Sequence, residues 1–173
     1  YYWPSNTMKS RKTKRPRVAL FQPRIPQNTG TIGRSCLAFD LALDIIKPTG
    51  FSFDDKYLKR AGLDYWNNVD VHLYESFEEY KNRFTSSRFI AFSKKSSNLI
   101  SNIQFKNTDI LLFGREDYGL PETIMSKCSI TGGIPMPGGE SNLGNRGVRS
   151  LNLSVACGIV CYSACQQLNL LSK

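Results

Sequence analysis

Histidine is almost absent from this sequence, since His72 is the only one among 173 residues. The five cysteines are odd in number and lack the close pairs typical of a disulfide scaffold, which favours a reducing compartment. Three of them, Cys157, Cys161 and Cys165, recur every four residues and would share one stripe of a helix. Tight metal sites usually take ligands from turns or several segments, so the stripe predicts apolar packing and no metal site.

Long apolar runs are also missing. No run approaches the roughly 20 residues that span a bilayer, and no charged segment followed by an apolar one indicates a secretory signal. Neither a Gly-x-Gly-x-x-Gly turn nor a P-loop occurs, which disfavours a nucleotide-binding α/β module. With 40% hydrophobic residues, the chain is expected to form one soluble domain without a membrane partner.

Acidic residues are absent from the first 17 positions, which carry six basic residues. This segment supplies most of the net charge of +9 and leaves only +3 for the remainder. We predict a basic, flexible arm over residues 1–16 and a single domain over residues 17–173. The arm could gather polyphosphate, or it could be a solubilising tail or the remnant of a transit peptide. The expected location is the cytoplasm, with a mitochondrion or plastid as the alternative if the arm is such a remnant.

Short apolar runs alternate with helical patterns along the chain. This alternation predicts the α/β class, a mostly parallel sheet flanked by helices, with ligands at the carboxyl ends of the strands. Ser76-x-x-Glu79 is a capping box that would open one helix, and Ile32, Cys36, Leu37 and Leu41 recur with helical spacing. Strands are predicted at 18–21, 43–46, 69–73, 88–92, 109–113 and 130–134, a short basic helix at 54–60, and the last helix at about 153–168.

Three segments join a strand end to a turn that contains glycine or asparagine. They cover residues 21–34, residues 111–121, and residues 134–136 followed, after a glycine-rich stretch, by residues 149–154. Ser150, Asn152 and Ser154 can cap the last helix, which brings hydroxyls and free backbone N–H groups together. Because strand ends of a parallel sheet meet at one edge, we expect the three segments to form one site for a polar ligand.

In their order and spacing, these segments resemble the three motifs of the SPOUT superfamily of RNA methyltransferases. The similarity runs from about Arg17 to Gln167. Pro48-x-Gly50-Phe51 and the segment from Lys59 to Tyr65 resemble the branch that methylates the ribose 2′-hydroxyl of the tRNA wobble nucleotide. The resemblance implies S-adenosylmethionine as cofactor, S-adenosylhomocysteine as product, tRNA as substrate and a homodimer. It also implies a deep C-terminal trefoil knot, which the strand pattern alone would not suggest.

The resemblance also implies roles for individual residues. Arg34 would bind the flanking phosphate and stabilise the developing alkoxide, because a guanidinium stays protonated. Asn28 would fix the loop that holds Arg34 and Glu116, and Glu116 would pair with Arg34 or orient Asn28. The implied catalytic residues are Asn28, Arg34, Glu116, Ser150 and Asn152. The implied cofactor-binding residues are Phe92, Gly114, Ile134, Met136, Ser150 and Leu151. The implied RNA-binding residues are Arg34, Arg149 and Tyr162, although Tyr162 could instead line the dimer interface or the core.

The sequence departs from the family in two places. Residues 137–147 form an insert where relatives have a short turn, and Ser163 stands where close relatives usually have a glutamate.

The dimer is expected to use the helix of the first motif and the cysteine-bearing helix, whose small side chains would allow close approach. Two alternatives stay open, ribose methylation at another tRNA or ribosomal RNA position and a non-catalytic RNA-binding relative. Retention of the five implied catalytic residues argues against the second.

Overall fold

The computed structural model describes residues 14–53, 65–137 and 150–171. Four α-helices occur in these ranges, α1 (Pro26–Ala38), α2 (Phe77–Arg83), α3 (Glu122–Met125) and α4 (Leu153–Gln167), together with 3-10 turns at Trp66–Asn68 and Ile100–Asn102. The strands are β1 (Arg17–Phe21), β2 (Ala42–Ile46), β3 (Val71–Tyr74), β4 (Phe89–Phe92), β5 (Ile110–Phe113) and β6 (Ile130–Gly132).

The six strands form one parallel sheet in the order β3-β2-β1-β5-β4-β6. Alternate residues of each strand enter two apolar clusters, because successive side chains point to opposite faces. Val18 and Leu20 of β1 pack with α1 and α4, whereas Ala19 and Phe21 pack with α2 and α3. A parallel sheet covered by helices on both faces confirms the predicted α/β class.

Two elements, α1 and β3, differ from the predictions in their boundaries. α1 begins at Pro26, earlier than the expected start near Thr29, because a proline in the first turn of a helix loses no hydrogen bond there. The helix ends at Ala38, so Leu41 lies beyond it, although its side chain is buried. β3 begins only at Val71, because the chain before it forms the 3-10 turn Trp66–Asn68.

The predicted capping box at the start of α2 is confirmed. Ser76 Oγ accepts a hydrogen bond from the backbone N–H of Glu79 at 3.1 Å. The Glu79 carboxylate reaches back to the backbone N–H of Glu75 at 2.7 Å, one residue before the cap. Two N–H groups near the helix start are thereby bonded to side chains.

The cysteine stripe of α4 packs inside the chain. Cys157, Cys161 and Cys165 lie in the same apolar cluster as α1, and their side chains are buried. The expected apolar packing is therefore confirmed, but the expected place of these side chains at a dimer interface is wrong. They instead let α4 approach α1 of the same chain. Among the described residues, no group of His, Cys, Asp and Glu could hold a metal ion.

Several predictions concern segments outside the described residues. The short helix at 54–60 lies there, and so do most of the arm and most of the insert. The knot would involve the passage between Pro137 and Ser150, so it stays a prediction. Of the arm, Arg15 is described, and its guanidinium lies 3.2 Å from the Asp40 carboxylate.

No helix in the described part of the chain is long and apolar enough to cross a membrane.

A buried carboxylate ties β1 and β2 to α2. Asp44 of β2 is fully buried and accepts two hydrogen bonds from the Arg17 guanidinium, at 2.6 and 2.5 Å. The Tyr80 hydroxyl of α2 donates a third at 2.6 Å. Burial, together with the Asp44 charge, raises the pKa of Tyr80 well above its ordinary value, so this hydroxyl stays a donor.

We predict that Arg17→Met lowers the free energy of unfolding by about 3–5 kcal/mol, because it leaves the buried Asp44 charge without its cation. Urea denaturation at neutral pH measures this change. The matched control is Lys47→Met, which breaks the exposed pair with Glu75 at 2.8 Å and is expected to cost less than about 1 kcal/mol. Equal losses in the two variants would contradict the prediction.

Candidate active site

A cavity of about 590 Å³ opens at the carboxyl ends of β4, β5 and β6. Each of these strands contributes its last residue to the wall, and the start of α4 closes another side. All three predicted motif segments reach the cavity. Its lining includes every predicted cofactor residue, namely Phe92, Gly114, Ile134, Met136, Ser150 and Leu151, and four predicted catalytic residues, Asn28, Glu116, Ser150 and Asn152.

Two stacked rings form part of the apolar wall of the cavity. Phe92 and Phe113 lie with their ring centroids 5.1 Å apart and their planes 17° from parallel. Gly132 of the neighbouring strand leaves space for this pair, since a Cβ there would lie 2.8 Å from Phe92 Cε1 and 2.6 Å from Ile103 Cδ1. The cavity therefore offers a flat apolar surface beside backbone polar groups.

Gly114 lets the turn after β5 fold tightly against its own start. A Cβ on Gly114 would lie 2.1 Å from the carbonyl carbon of Gly119, a distance that no packing adjustment of a side chain could relieve. Arg115 and Gly119 exchange two backbone hydrogen bonds across the turn, at 3.1 and 2.8 Å. Gly119 has φ of +78°, the left-handed region that favours glycine. The turn thus holds Glu116 in a defined place.

Glu116 joins the second motif to the start of α1. Its carboxylate accepts hydrogen bonds from the backbone N–H groups of Arg24 at 2.7 Å and Ile25 at 3.1 Å. It also accepts one from Asn28 Nδ2 at 3.3 Å. Arg24 and Ile25 lie immediately before α1, and a negative charge is favoured near the start of a helix by the helix dipole. Sequence reasoning missed Arg24 and Ile25 because they act through their backbone, which leaves no side-chain signal.

Asn28 continues this set of bonds to the third motif. Its side-chain oxygen accepts a hydrogen bond from Asn152 Nδ2 at 3.1 Å. Asn152 Oδ1 in turn accepts from the backbone N–H of Ser154 at 2.8 Å and from its hydroxyl at 2.7 Å. One chain of hydrogen bonds therefore links Glu116, Asn28 and Asn152, one residue from each motif.

Only Asn152 of the three expected caps makes the capping bond of α4. Ser154 lies inside the first turn, where its hydroxyl can reach Asn152 but no free N–H of the helix start. Ser150 lies two residues before the cap and faces the cavity. Asn152 caps α4 because it directly precedes the first helical residue, Leu153.

Arg34 is placed apart from the cavity lining. It lies on the exposed side of α1, and its guanidinium carbon is 5.5 Å from the centroid of the Tyr65 ring. Of the two roles expected for Glu116, the structure shows the bond that orients Asn28, and no Arg34–Glu116 ion pair occurs within the described ranges. Arg149 lies outside the described residues. Tyr162 is 50% exposed, so its alternative as a core residue is wrong.

Two cavity residues, Lys94 and Lys95, lie outside the three predicted segments and follow the end of β4. Tyr118, on the tight turn after Gly114, lies within the second predicted segment. Their position directly after strand ends was the available signal, because ligands of parallel sheets bind there. The two lysines bring positive charge to the cavity edge, and the Tyr118 ring is exposed.

Comparison with known proteins places this site in a family. Residues 15–162 match the model of the SpoU rRNA Methylase family. A protein from Methylovorus glucosotrophus (strain SIP3-4) named tRNA (cytidine(34)-2'-O)-methyltransferase is 37% identical over 150 residues, which cover 87% of this chain and 94% of the relative. These two similarities span the three motif segments described above.

Solved structures agree in fold. One, described as giving structural insights into the 2-OH methylation of C/U34 on tRNA, has a TM-score of 0.82 at 40% identity and covers 90% of this chain and 97% of its own. The SpoU methyltransferase AviRb from Streptomyces viridochromogenes, in complex with the cofactor AdoMet, has a TM-score of 0.80 at 21% identity, covering 92% of this chain and 63% of its own. The sequence match over residues 15–162 and these shared folds show that the chain belongs to the SpoU methylase family, within the SPOUT superfamily.

Proposed function

We propose that this protein transfers a methyl group from S-adenosylmethionine to the ribose 2′-oxygen of the tRNA wobble nucleotide, nucleotide 34. The observation that carries the proposal is the hydrogen-bond chain through Glu116, Asn28 and Asn152, which assembles the three motifs beside one cavity. The names of the Methylovorus relative and of the structure at 40% identity support nucleotide 34 as the target.

The cavity suits the cofactor in size and chemistry. Its volume of about 590 Å³ lies within the usual range of small-molecule sites, about 300–1,000 Å³. The stacked Phe92 and Phe113 rings would cover apolar parts of the ligand, and backbone groups around Gly114, Met136 and Leu151 would bind its polar groups. When bound, S-adenosylmethionine supplies a methyl group on a cationic sulfur that an oxygen nucleophile can attack.

The residues of the chain would contribute alignment rather than a strong base. Both carboxylate oxygens of Glu116 accept N–H donors, so its role is to hold the start of α1 and Asn28 in place. Ser150 and Asn152 lie at the cavity edge, where they would orient the attacking hydroxyl. Such alignment of two reactants supplies a large part of the rate of a displacement.

Arg34 would stabilise the negative charge that develops on the attacking oxygen and bind the adjacent phosphate. A guanidinium is always protonated at neutral pH, and its fork of N–H donors matches phosphate oxygens. Its exposed position on α1 leaves it accessible to an RNA strand that approaches the cavity from outside. The lysines at positions 94 and 95 would add to the attraction of the tRNA backbone.

The assay of this function uses labelled S-adenosylmethionine and total tRNA from cells that lack the wobble modification. We expect label on the ribose of nucleotide 34 after nuclease mapping, and no label in tRNA that is already methylated there. Ribosomal RNA serves as the competing substrate. Labelling of ribosomal RNA or of another tRNA position, with nucleotide 34 unlabelled, would replace this proposal by the alternative ribose methyltransferase.

A change at Glu116 tests the hydrogen-bond chain. Glu116→Gln places an amide N–H against one of the N–H donors that the carboxylate binds, and an unsatisfied group of this kind costs about 1–3 kcal/mol. We therefore expect the single-turnover rate to fall by about 5- to 150-fold if that cost appears in the transition state. The control is Glu122→Gln, an exposed acid at the start of α3. A rate unchanged in Glu116→Gln would contradict the role of this residue.

The protein is also proposed to act as a homodimer with tRNA as its macromolecular partner. Val155, Ile159 and Tyr162 are 51%, 38% and 50% exposed and recur along one face of α4. This face points away from the buried cysteine stripe of the same helix. Contiguous exposed apolar residues typically mark protein–protein contacts. A second copy of α4 would cover them.

Ile159→Asp is expected to dissociate the dimer, because it would bury a carboxylate without a partner at the interface. Light scattering at micromolar concentration should give the mass of two chains for the wild type and of one chain for the variant. Thr123→Asp, an exposed change on α3 at the other face of the sheet, should leave the dimer intact. A fully active wild-type monomer would overturn the proposed assembly.

A further inference from the structure

Two consecutive residues of α1 contact two consecutive residues at the start of the first 3-10 turn. Gly33 faces the ring of Trp66, and Arg34 faces the ring of Tyr65. Tyr65 is the last residue of the segment from Lys59 that resembles the wobble-methylating branch, a segment to which the proposed mechanism assigns no task. The contact with Arg34 connects this segment to a residue that the proposed function assigns to methyl transfer.

Trp66 fixes the position of this turn on α1. Its side chain is only 8% exposed and belongs to the apolar cluster between the sheet, α1 and α4. The contact requires glycine at position 33, since a Cβ there would lie 2.4 Å from Trp66 Cζ3. Backbone bonds from Asn68 N–H to the Tyr65 carbonyl, at 2.8 Å, and from Val69 N–H to the Trp66 carbonyl, at 3.1 Å, close the turn. Tyr65 therefore stands at a defined place beside Arg34.

The geometry between Arg34 and Tyr65 is that of a cation–π contact. The guanidinium carbon lies 5.5 Å from the ring centroid, inside the roughly 6 Å over which such attraction acts. Stacking uses the flat face of the guanidinium and leaves its N–H groups at the edge available to phosphate oxygens. An arginine side chain otherwise has many rotamers, and each must be given up when it binds. A ring that already holds the side chain in one rotamer lowers the conformational entropy that Arg34 loses when it binds RNA.

We propose that Tyr65 is a positioning residue for Arg34. Its ring holds the guanidinium above α1 before the substrate arrives, so that the N–H groups at the edge are available to an RNA strand that reaches the cavity. The inference rests on the proposed function of Arg34 in methyl transfer. Tyr65 itself need not touch the reacting atoms.

The test is a double-mutant cycle on the single-turnover rate at saturating tRNA and cofactor. Tyr65→Leu removes the ring face and is expected to slow the reaction by about two- to fivefold, the range of an exposed cation–π contact. Tyr65→Phe keeps the face and should restore the wild-type rate. Arg34→Ala alone should slow the reaction by about 100-fold or more, as removal of a transition-state hydrogen-bond donor does. In that background, Tyr65→Leu should cause no further loss.

Two measurements separate positioning from general stability and from failure of the proposed function. The cofactor dissociation constant, from calorimetry, should be equal in wild type, Tyr65→Leu and Tyr65→Phe. In NMR spectra, the Arg34 Cδ protons should show the upfield ring-current shift of a stacked side chain in the wild type and in Tyr65→Phe, and lose it in Tyr65→Leu. This second readout needs no RNA, so it decides whether the ring holds Arg34 even if nucleotide 34 is not the target.

The proposal is overturned if Tyr65→Leu leaves both the rate and the Arg34 resonances unchanged. It is also overturned if Tyr65→Leu slows the Arg34→Ala variant by the same factor as the wild type, since Tyr65 would then act independently of Arg34. A rate loss in Tyr65→Phe as large as in Tyr65→Leu would assign the effect to the hydroxyl instead of the ring, and would equally contradict the proposal.

Discussion

The active site depends on the bonds that the Glu116 carboxylate makes to the N–H groups at the start of α1. Those N–H groups belong to Arg24 and Ile25, immediately before the helix, and the carboxylate supplies them with charge-assisted acceptors. Glu116 is in turn fixed by a turn whose geometry requires glycine at positions 114 and 119. Without this link, the first and second motifs would be joined by the pairing of β1 with β5 and by the apolar cluster that contains Ile32 and Phe113.

The same link explains why polar residues can lie close together beside an apolar cavity. Asn28 is nearly fully buried, which would be costly if its amide lacked partners. Glu116 accepts from its amide nitrogen, and Asn152 donates to its oxygen. Each amide is therefore held in one orientation by its neighbours, and the start of α4 is capped as part of the same set. The hydrogen bonds that stabilise this part of the fold therefore also fix the side chains of the candidate site.

Much of the fold was predictable because its strands are short apolar runs that end in turn residues. All six strands lie where runs such as 43–46 and 109–113 indicated, and the parallel sheet follows from their alternation with helices. The 3-10 turn Trp66–Asn68 before β3 was missed, because it packs through Trp66 on Gly33, a contact between distant segments. The expectation that Cys157 and Cys161 would lie at a dimer interface was also wrong, since a periodic stripe of small residues does not indicate which surface it packs against.

The candidate site was predictable in its residues more than in its contacts. Gly114, Glu116 and Asn152 could be named from the motifs, but the backbone donors at Arg24 and Ile25 carry no side-chain signature. A pair of Arg34 with Glu116 was one of two alternatives, and the structure shows the other, the bond from Asn28 to Glu116. Arg34 lies on the exposed side of α1 against Tyr65, a contact between separate segments that motif spacing does not indicate.

The position of β1 between β2 and β5 has a consequence for synthesis of the chain. β1 and β2 are neighbours in both sequence and space, but β5 and Glu116 follow about ninety residues later, as the separation of 91 between Ile25 and Glu116 shows. Pairings of such long range form late, because loop closure must precede the contacts that reward it. On the ribosome, the first motif must therefore wait, with the start of α1 incomplete, until the second motif has emerged.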